Sequence, residues 1–395
     1  MENYVNIDLK QHIGVAATPV VAVGEAVKKG QLIAACEGEA LGANVHSSVY
    51  GIVTEICQKM VKIKMDENQP YEYMKIKQTS CHIEAVRAAG VVGAGGAGFP
   101  THVKLGADFG GEGCVILNGA ECEPVLGHNL LVLSQSPEEI VRGLKYAMAM
   151  TKAAKGYIAV KSKKIKQILK LVKICKDEAD IEVRVLPDVY PVGDERVIVR
   201  EILGVTLKSG QLPLAAGALV LNVETIKRVT EAIELSKPVI TKDFTVAGRL
   251  NGETKIYLEQ PIGMPIKKYI DECGGAMAPH GEILLGGPFT GMSANLESAT
   301  INKTTGGIFV AMPFPNHPYK FGILACECGA QEARLSEIVA GMGGEVVCTT
   351  KCKRMTEING RYRCVEPGNC PGQAEKILEL KKAGATAVLT GSCED

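Results

Sequence analysis

The chain has 395 residues, more than one ordinary hydrophobic core holds, so we expect several domains. Lysine plus arginine and aspartate plus glutamate both total 44, and this balance argues against nucleic-acid binding, which usually needs a basic excess. Aromatic residues make up only 5% of the chain and tryptophan is absent, so base-stacking platforms are not expected either.

Residues 1–78 consist of short apolar runs broken by glycine turns, a pattern typical of small strands. Their spacing resembles that of the lipoyl and biotinyl carrier domains, which are barrel-sandwich hybrids. Those domains present a lysine at a hairpin tip, whereas His46-Ser47-Ser48 stand at the corresponding place here. We therefore predict a docking or packing module without a swinging arm, in which His12 and His46 are hydrogen-bonded turn residues and not metal ligands.

The stretch 79–237 changes to an alternation of helical and strand patterns. Apolar runs that end in polar loops alternate with helices, which predicts a parallel sheet covered by helices. One of these helices lies within the lysine-rich segment 161–174, and its lysines are interpreted as a solvated face. The fold class of this part is therefore α/β.

The remaining residues suggest two further modules. Residues 238–318 contain two strands across a glycine turn and then a short amphipathic helix, which favours a β-grasp. Residues 319–395 return to strand and helix patterns and predict a small cysteine-rich α/β domain. The whole chain is thus predicted to be a multidomain α/β protein with four modules.

A glycine-dense loop is the strongest local pattern. Gly93, Gly95, Gly96 and Gly98 precede a helix that carries Lys104. Such loops let backbone N–H groups approach a phosphate, and a helix N-terminus adds partial positive charge. Taken alone the pattern is weak, because glycines also serve ordinary turn geometry.

Polar residues follow three apolar strands at the points where the strands end. The carboxyl ends of parallel strands are where open α/β sheets bind ligands. Amides and carboxylates suit the edge of a flavin and its hydroxyls, while the glycine loop suits its phosphate. Four unrelated strand-end caps are the alternative. The residues concerned are Asn118, Glu121 and Glu123 after the first strand, Gly193 and Glu195 after the second, and Asn222 and Thr225 after the third.

These motifs, G-x-G-G-A-G-F-P-T-x-x-K, N-G-A-E-C-E-P, G-D-E and N-V-E-T, resemble those of the Rnf C-subunit family and of the flavoprotein subunit of respiratory complex I. The resemblance covers roughly residues 10–315 and implies that FMN is the cofactor and NADH the donor. Ala94 and Ala120 replace an arginine and an aspartate of the complex I proteins, so roles at those positions do not carry over. The resemblance assigns cofactor binding to Gly93, Gly95, Gly96, Gly98, Phe99, Lys104, Asn118, Glu121, Glu123, Gly193, Glu195, Asn222 and Thr225.

The sequence after Pro315 departs from the Rnf pattern. It lacks the cysteine runs that hold iron–sulfur clusters in those subunits, yet seven of the 14 cysteines fall in it. The whole layout most resembles the proline-reductase-associated electron-transfer proteins, which implies a proline-reductase-like partner. Some members of that group carry selenocysteine in the tail, and Cys370 stands at the equivalent position we assign.

Three interpretations of the tail cysteines stay open. The favoured one is a thiol/disulfide relay in which Cys370, in a glycine turn before a helix, is the nucleophile. Cys393, Cys364 or the Cys348/Cys352 pair would resolve it. A metal or cluster site is the second interpretation, although the spacing fits no strong zinc template, and ordinary buried thiols are the third. We predict no metal ligands and assign catalytic roles to Cys370, Cys393 and Glu195.

The combined prediction is an NADH-dependent electron-transfer flavoprotein that passes electrons through FMN to the tail cysteines and a partner reductase. The alternatives are an NADH diaphorase like cobalamin reductase or Rnf with another acceptor, and a non-catalytic adaptor that has lost the flavin. No window of about 18 residues is apolar and uncharged, and the first residues do not resemble a signal peptide. We therefore expect a cytoplasmic protein, with homo-oligomerisation left open.

Overall fold

The computed structural model describes residues 3–38, 40–327, 329–358 and 360–391. Cys393, one of the predicted catalytic residues, lies outside the described residues, as does Cys328. Within the described ranges no helix has the length and apolarity needed to cross a bilayer.

The first module consists of two small antiparallel sheets. One has the strand order β1-β7-β6-β3 and the other β2-β4-β5. In the first sheet, buried Val5 and Ile7 of β1 pair with Ile63 and Val61 of β7, so alternate residues form the apolar face. The strands are β1 (Tyr4–Asp8), β2 (Thr18–Pro19), β3 (Ala26–Val27), β4 (Leu32–Ala35), β5 (Val45–His46), β6 (Gly51–Ile56) and β7 (Met60–Met65).

The second module is a four-stranded parallel sheet with the order β10-β9-β8-β11. Its strands are β8 (Cys114–Asn118), β9 (Lys155–Lys161), β10 (Ile181–Leu186) and β11 (Ala218–Asn222). Its helices are α1 (His82–Ala88), α2 (Thr101–Leu105), α3 (His128–Gln135), α4 (Pro137–Thr151), α5 (Ile165–Ile174), α6 (Glu195–Leu203) and α7 (Val223–Glu234).

Both faces of this sheet are covered, which explains why its strands are continuous apolar runs. Val115 and Leu117 of β8 pack in the cluster that includes α4 and α7. The intervening Ile116 packs with α6 on the other face. The faces of the sheet are therefore buried, and the polar residues at the ends of its strands are the ones available to a ligand.

The third module is a five-stranded mixed sheet with the order β13-β12-β16-β14-β15. Phe244, Tyr257 and Tyr269 join it to its helix α8, with ring centroids 5.0–5.4 Å apart. The elements are β12 (Thr241–Gly248), β13 (Lys255–Pro261), α8 (Ile266–Glu272), β14 (Ile283–Leu285), β15 (Met292–Ala294) and β16 (Gly307–Val310).

The fourth module, called the tail below, begins with β17 and contains a parallel sheet of order β18-β17-β21 and an antiparallel hairpin of β19 and β20. Its elements are β17 (Lys320–Ala325), α9 (Glu332–Gly341), β18 (Glu345–Lys351), β19 (Met355–Ile358), β20 (Arg361–Cys364), α10 (Ala374–Lys382) and β21 (Ala387–Thr390).

One cluster of buried apolar side chains runs through the first three modules, from Ile63 through Leu117 to Val246. The tail has separate, smaller clusters, such as the one around Phe321 and Val339. The first three modules therefore pack as one body, and the tail is an attached unit with a core of its own.

Candidate functional site

The site lies at the carboxyl edge of the parallel sheet. Asn118 ends β8 and Asn222 ends β11, and the two residues are register partners on neighbouring strands. The glycine loop lies over this edge, because a Cβ placed on Gly95 would be 3.3 Å from Nδ2 of Asn222. Parallel pairing thus brings together motifs that are about a hundred residues apart in sequence.

The backbone of the glycine loop is held at both ends while its tip is left open. Gly93 N–H donates to Phe99 O at 2.9 Å, Gly98 N–H donates to Gly93 O at 3.0 Å, and Ala94 N–H donates to Oγ1 of Thr225 at 2.9 Å. Gly95, Gly96 and Ala97 are exposed, and within the described chain their N–H groups donate no hydrogen bond. These three N–H groups are therefore available to donate hydrogen bonds to an anion.

Gly98 has a conformation that a larger residue would resist. Its φ is +63°, in the left-handed region, and a Cβ there would lie 3.0 Å from Cγ2 of Thr304. The carbonyl of Gly98 also accepts the N–H of Ile13 at 2.9 Å, which ties the loop to the first module. The half-buried Phe99 follows directly.

Lys104 and Glu195 form an ion pair that joins α2 to α6. Lys104 Nζ lies 2.9 Å from Oε1 of Glu195 and 3.3 Å from Val220 O. Glu195 is the first residue of α6, whose N-cap Asp194 accepts the N–H groups of Arg196 and Val197. The pair is partly exposed, so it contributes little to stability and mainly orients the two side chains.

Asn118 fixes the turn that carries Gly193. Its Nδ2 donates to Gly193 O at 2.9 Å, and its Oδ1 accepts Ala120 N–H at 3.1 Å. The sequence gives no sign that Cys122 contacts this turn, yet its Sγ accepts the N–H of Gly193 at 2.7 Å. Burial raises the pKa of the Cys122 thiol, so it is a packing and hydrogen-bonding group here.

Glu121 is held by a residue that the motif did not reveal. Asn129 Nδ2 donates to its Oε2 at 2.9 Å, and Glu123 N–H donates to its Oε1 at 3.3 Å. Burial raises the pKa of Glu121, while the bond from Asn129 opposes that shift. Neighbouring His128 is buried next to Thr245, and burial lowers its pKa to about 3, so it stays neutral.

The carboxylate of Glu123 is occupied by other residues of the chain, whereas the sequence predicts that it contacts the cofactor. Its carboxylate accepts the N–H groups of Phe289 at 3.0 Å and Thr290 at 2.8 Å, and also the Thr290 hydroxyl. Phe289 packs edge-to-face on Tyr190 with 4.9 Å between ring centroids. The loop of the third module therefore covers this end of the site.

Glu224 of the N-V-E-T motif belongs to the interior and not to the site. It pairs with Arg228 at 3.1 Å and with Lys242, and it accepts Asp243 N–H at 3.0 Å. These residues form a mostly buried ion cluster between α7 and the third module, with four cations and four carboxylates. Its members are Glu224, Lys227, Arg228, Glu231, Lys237, Lys242, Asp243 and Glu259.

Lys303 is hydrogen-bonded to the chain three residues before the glycine loop. It is buried, and its Nζ donates to Gly90 O at 2.7 Å and to Asn44 O at 2.6 Å. Burial lowers the pKa of Lys303 to about 7. Its buried neighbours His12 and His46 also have lowered pKa values, chiefly through burial, with that of His46 at about 3. They are interior polar groups.

The tail rests on α6 beside the site. Arg196 donates to Cys364 O at 2.8 Å and pairs with Glu327 at 2.9 Å, while Arg200 donates to Pro367 O at 3.0 Å. A Cβ on Gly368 would lie 3.3 Å from Cδ of Pro191, in the loop that leads to Glu195. Helix α6, which begins with Glu195, therefore contacts the tail as well as the site.

The tail cysteines differ in accessibility. Cys370 is exposed, whereas Cys352 and Cys364 are buried and Cys348 is half-buried. Gln373 Nε2 donates to Sγ of Cys352 at 3.0 Å. Across the described part of the chain, no group of three or more His, Cys, Asp or Glu side chains is arranged to hold a metal ion.

Comparison with known proteins gives two family matches. Residues 86–231 match the Nuo51 FMN-binding domain, and residues 1–71 match the RnfC barrel-sandwich hybrid domain. Every predicted cofactor-binding residue from Gly93 to Thr225 lies inside the first match. The tail lies outside both matches.

The C-subunit of the Na⁺-translocating ferredoxin:NAD⁺ oxidoreductase complex of Acetobacterium woodii is 34% identical over 321 residues, covering 76% of this chain and 72% of that protein. Its counterpart in the proton-translocating complex of Clostridium ljungdahlii is 33% identical, covering 76% and 69%. The chain belongs to the Rnf C-subunit family. Membership confirms the predicted barrel-sandwich hybrid and FMN-binding α/β domain, and it makes this protein an oxidoreductase.

Two further similarities cover less of each protein. Cobalamin reductase PduS of Citrobacter freundii is 39% identical over 227 residues, covering 58% of this chain and 49% of that protein. An NAD⁺-reducing [NiFe]-hydrogenase, in its air-oxidized state, superposes with a TM-score of 0.50 at 20% identity, over 60% of this chain and 47% of that chain. The second similarity concerns the fold alone.

The residues at the site fit FMN. The open amides of Gly95, Gly96 and Ala97 suit a single phosphate. Asn222 uses its Oδ1 to cap α7, accepting Glu224 N–H at 2.8 Å, and its Nδ2 has no acceptor within the described chain. An amide donor next to an open phosphate loop suits the hydroxyl or ring acceptors and the phosphate of a flavin mononucleotide.

Proposed function

We propose that the chain is an NADH-dependent electron-transfer flavoprotein that passes electrons from FMN to the cysteines of the tail and then to a partner reductase. The observation that carries the proposal is the glycine loop, whose three open amides lie at the strand edge beside Asn222. FMN, when bound, would supply the hydride and electron chemistry that no side chain here provides.

The side chains have separate roles in this proposal. Gly95, Gly96 and Ala97 bind the phosphate through their N–H groups, and Asn222 donates from Nδ2. Asn118 positions the Gly193 turn, and the Lys104–Glu195 pair lines the nucleotide side. Glu121, held in place by Asn129, accepts hydrogen bonds from nucleotide hydroxyls.

The tail supplies the exit for electrons in this proposal. Cys370 is exposed, and its turn packs through Gly368 on the Pro191 loop that leads into the site. In the oxidised state, Cys370 would form a disulfide with Cys393 or another tail cysteine. NADH and one proton then reduce this disulfide to two thiols and leave NAD⁺, so electrons and protons balance.

Two observations bear on the identity of the electron acceptor. The layout of the tail favours a proline-reductase-like partner, and we propose a cytoplasmic location. The similarity to PduS and to Rnf subunits favours instead a diaphorase with another acceptor, and both alternatives use the same flavin site.

Purification under mild conditions tests the proposal directly. We expect a yellow protein whose bound flavin is bleached by NADH. The flavin released by heat should run as FMN on chromatography. A colourless protein that does not take up added FMN would leave the adaptor alternative. FAD on the column, or equal bleaching rates with NADPH, would contradict the assigned cofactor and donor.

A further inference from the structure

Helix α5 exposes a row of aliphatic side chains. Ile165, Leu169 and Val172 are 63%, 65% and 51% exposed, and their spacing of four and three residues puts them on one face. The buried face of the same helix packs on the sheet through Leu171, with Ile168 and Ile174 beside it. The row, called the α5 stripe below, is therefore not part of the core.

Lysines surround the α5 stripe. Residues 162–176 contain six lysines and no aspartate or glutamate, although the whole chain is neutral. Lys163 pairs with Asp188 at 2.8 Å, and Lys170 donates to Ser134 O at 2.7 Å. The other four make no ion pair within the described part of the chain; they are Lys164, Lys166, Lys173 and Lys176.

Two of these lysines flank the centre of the stripe. Lys166 precedes Leu169 by three residues and Lys173 follows it by four, and residues at these separations are neighbours on a helix surface. Aliphatic side chains and unpaired ammonium groups thus lie next to each other along about three turns of exposed helix.

We propose that the α5 stripe and its lysines form a contact surface for an anionic lipid bilayer. Helices that lie in a membrane interface combine an apolar face with lysines that reach anionic head groups. Protein interfaces are instead enriched in aromatic residues, methionine and arginine, and they are depleted in lysine. Residues 162–176 contain no residue of the enriched types, so the composition favours lipid over a protein partner.

The contact would bring the flavin edge of the sheet near the bilayer. Lys161 ends β9 at that edge, and α5 begins only four residues later. Membrane contact through α5 does not require bound flavin, so a negative result for one proposal leaves the other unaffected.

Vesicle sedimentation with the full chain tests the proposal. Vesicles of phosphatidylcholine mixed with phosphatidylglycerol should bind the protein, pure phosphatidylcholine should not, and added salt should weaken binding. Replacing both flanking lysines, Lys166→Gln with Lys173→Gln, should weaken binding by about 25-fold, because each membrane-facing lysine contributes about fivefold. Leu169→Ser should weaken binding with the charge unchanged.

Two control variants match these changes on other surfaces. Lys28→Gln with Lys59→Gln removes the same charge from exposed positions of the first module, and Leu378→Ser removes an exposed leucine from α10. Both should bind like the parent chain. Circular dichroism should show that all variants are folded.

Other outcomes would overturn the proposal. These are equal binding to both vesicle types, equal losses in the α5 variants and the controls, or binding that needs lysine but not Leu169. Binding to polyglutamate that depends on α5, without binding to vesicles, would identify an acidic protein as the occupant and would also overturn it.

Discussion

Replacing Arg228 with methionine removes a cation that four carboxylates share. The guanidinium lies 2.7 Å from Glu259, 2.8 Å from Glu231, 3.1 Å from Glu224 and 3.3 Å from Asp243, and the side chain is only 4% exposed. Methionine keeps much of the packing volume but leaves four carboxylates facing three lysines. Breaking a buried ion pair from one side costs about 3–5 kcal/mol, so we expect a loss of that size in the free energy of unfolding at neutral pH.

The pH dependence gives this prediction a second test. Burial raises the pKa of Asp243, but Arg228 and Lys227 outweigh burial and hold it below the usual value of 3.8. Ionised Asp243 therefore stabilises the parent fold above that pH, and the contribution is lost as the pH falls through its lower folded pKa. The difference between parent and variant should thus shrink in acid.

Urea unfolding followed by circular dichroism measures both effects. Arg142→Met is the matched control, because Arg142 makes a two-bonded ion pair with Glu234 on α7 at 2.8 and 2.9 Å but is half exposed. We expect it to cost at most about 1 kcal/mol. A loss at Arg228 no greater than the loss at Arg142, or one independent of pH, would refute this account of the ion cluster.

Four further predictions concern the site and the tail. Glu195→Gln should slow reduction of the flavin by NADH in stopped flow more than it lowers FMN affinity. Loss of the flavin instead would show that Glu195 holds the cofactor. Gly98→Val should weaken FMN binding about tenfold in fluorescence titration, because its φ of +63° costs a branched residue about 1–2 kcal/mol; unchanged affinity would count against the loop. Stability of the parent should rise between pH 7 and 10.5, because unfolded Lys303 keeps its proton where the folded residue, with a pKa of about 7, does not; Lys303→Met should lack this rise. Cys370→Ala should abolish NADH-driven reduction of the partner while NADH-to-dye activity persists, and unchanged reduction of the partner would end the relay proposal.

The polar edge of the parallel sheet can be predicted from the sequence because it depends on patterns within short segments. Apolar runs followed by Asn118 and Asn222 predict parallel strands with polar ends, and pairing in register then brings these ends together. The glycine loop can be recognised in the same way, because its glycines lie close together in sequence.

Contacts between distant segments could not be predicted in this way. Nothing near Glu123 in sequence indicates that Phe289 and Thr290 bind it, and nothing marks Lys303 among the lysines as buried. The lysines of α5 are exposed, as the sequence predicts, but periodicity alone does not reveal that three aliphatic residues beside them are exposed too. Only the packing of α5 at the margin of the sheet decides which of its apolar sides is covered.

The backbone of the glycine loop depends on segments made at very different times during synthesis. Ile13 N–H donates to Gly98 at its end, Thr225 accepts Ala94 N–H near its start, and Lys303 donates to Gly90 three residues before it. On the ribosome the loop is therefore incomplete until the chain beyond residue 303 has emerged, and residues 79–237 released alone would lack two of the three supports. We therefore expect cofactor loading to occur after the first three modules have closed on one another.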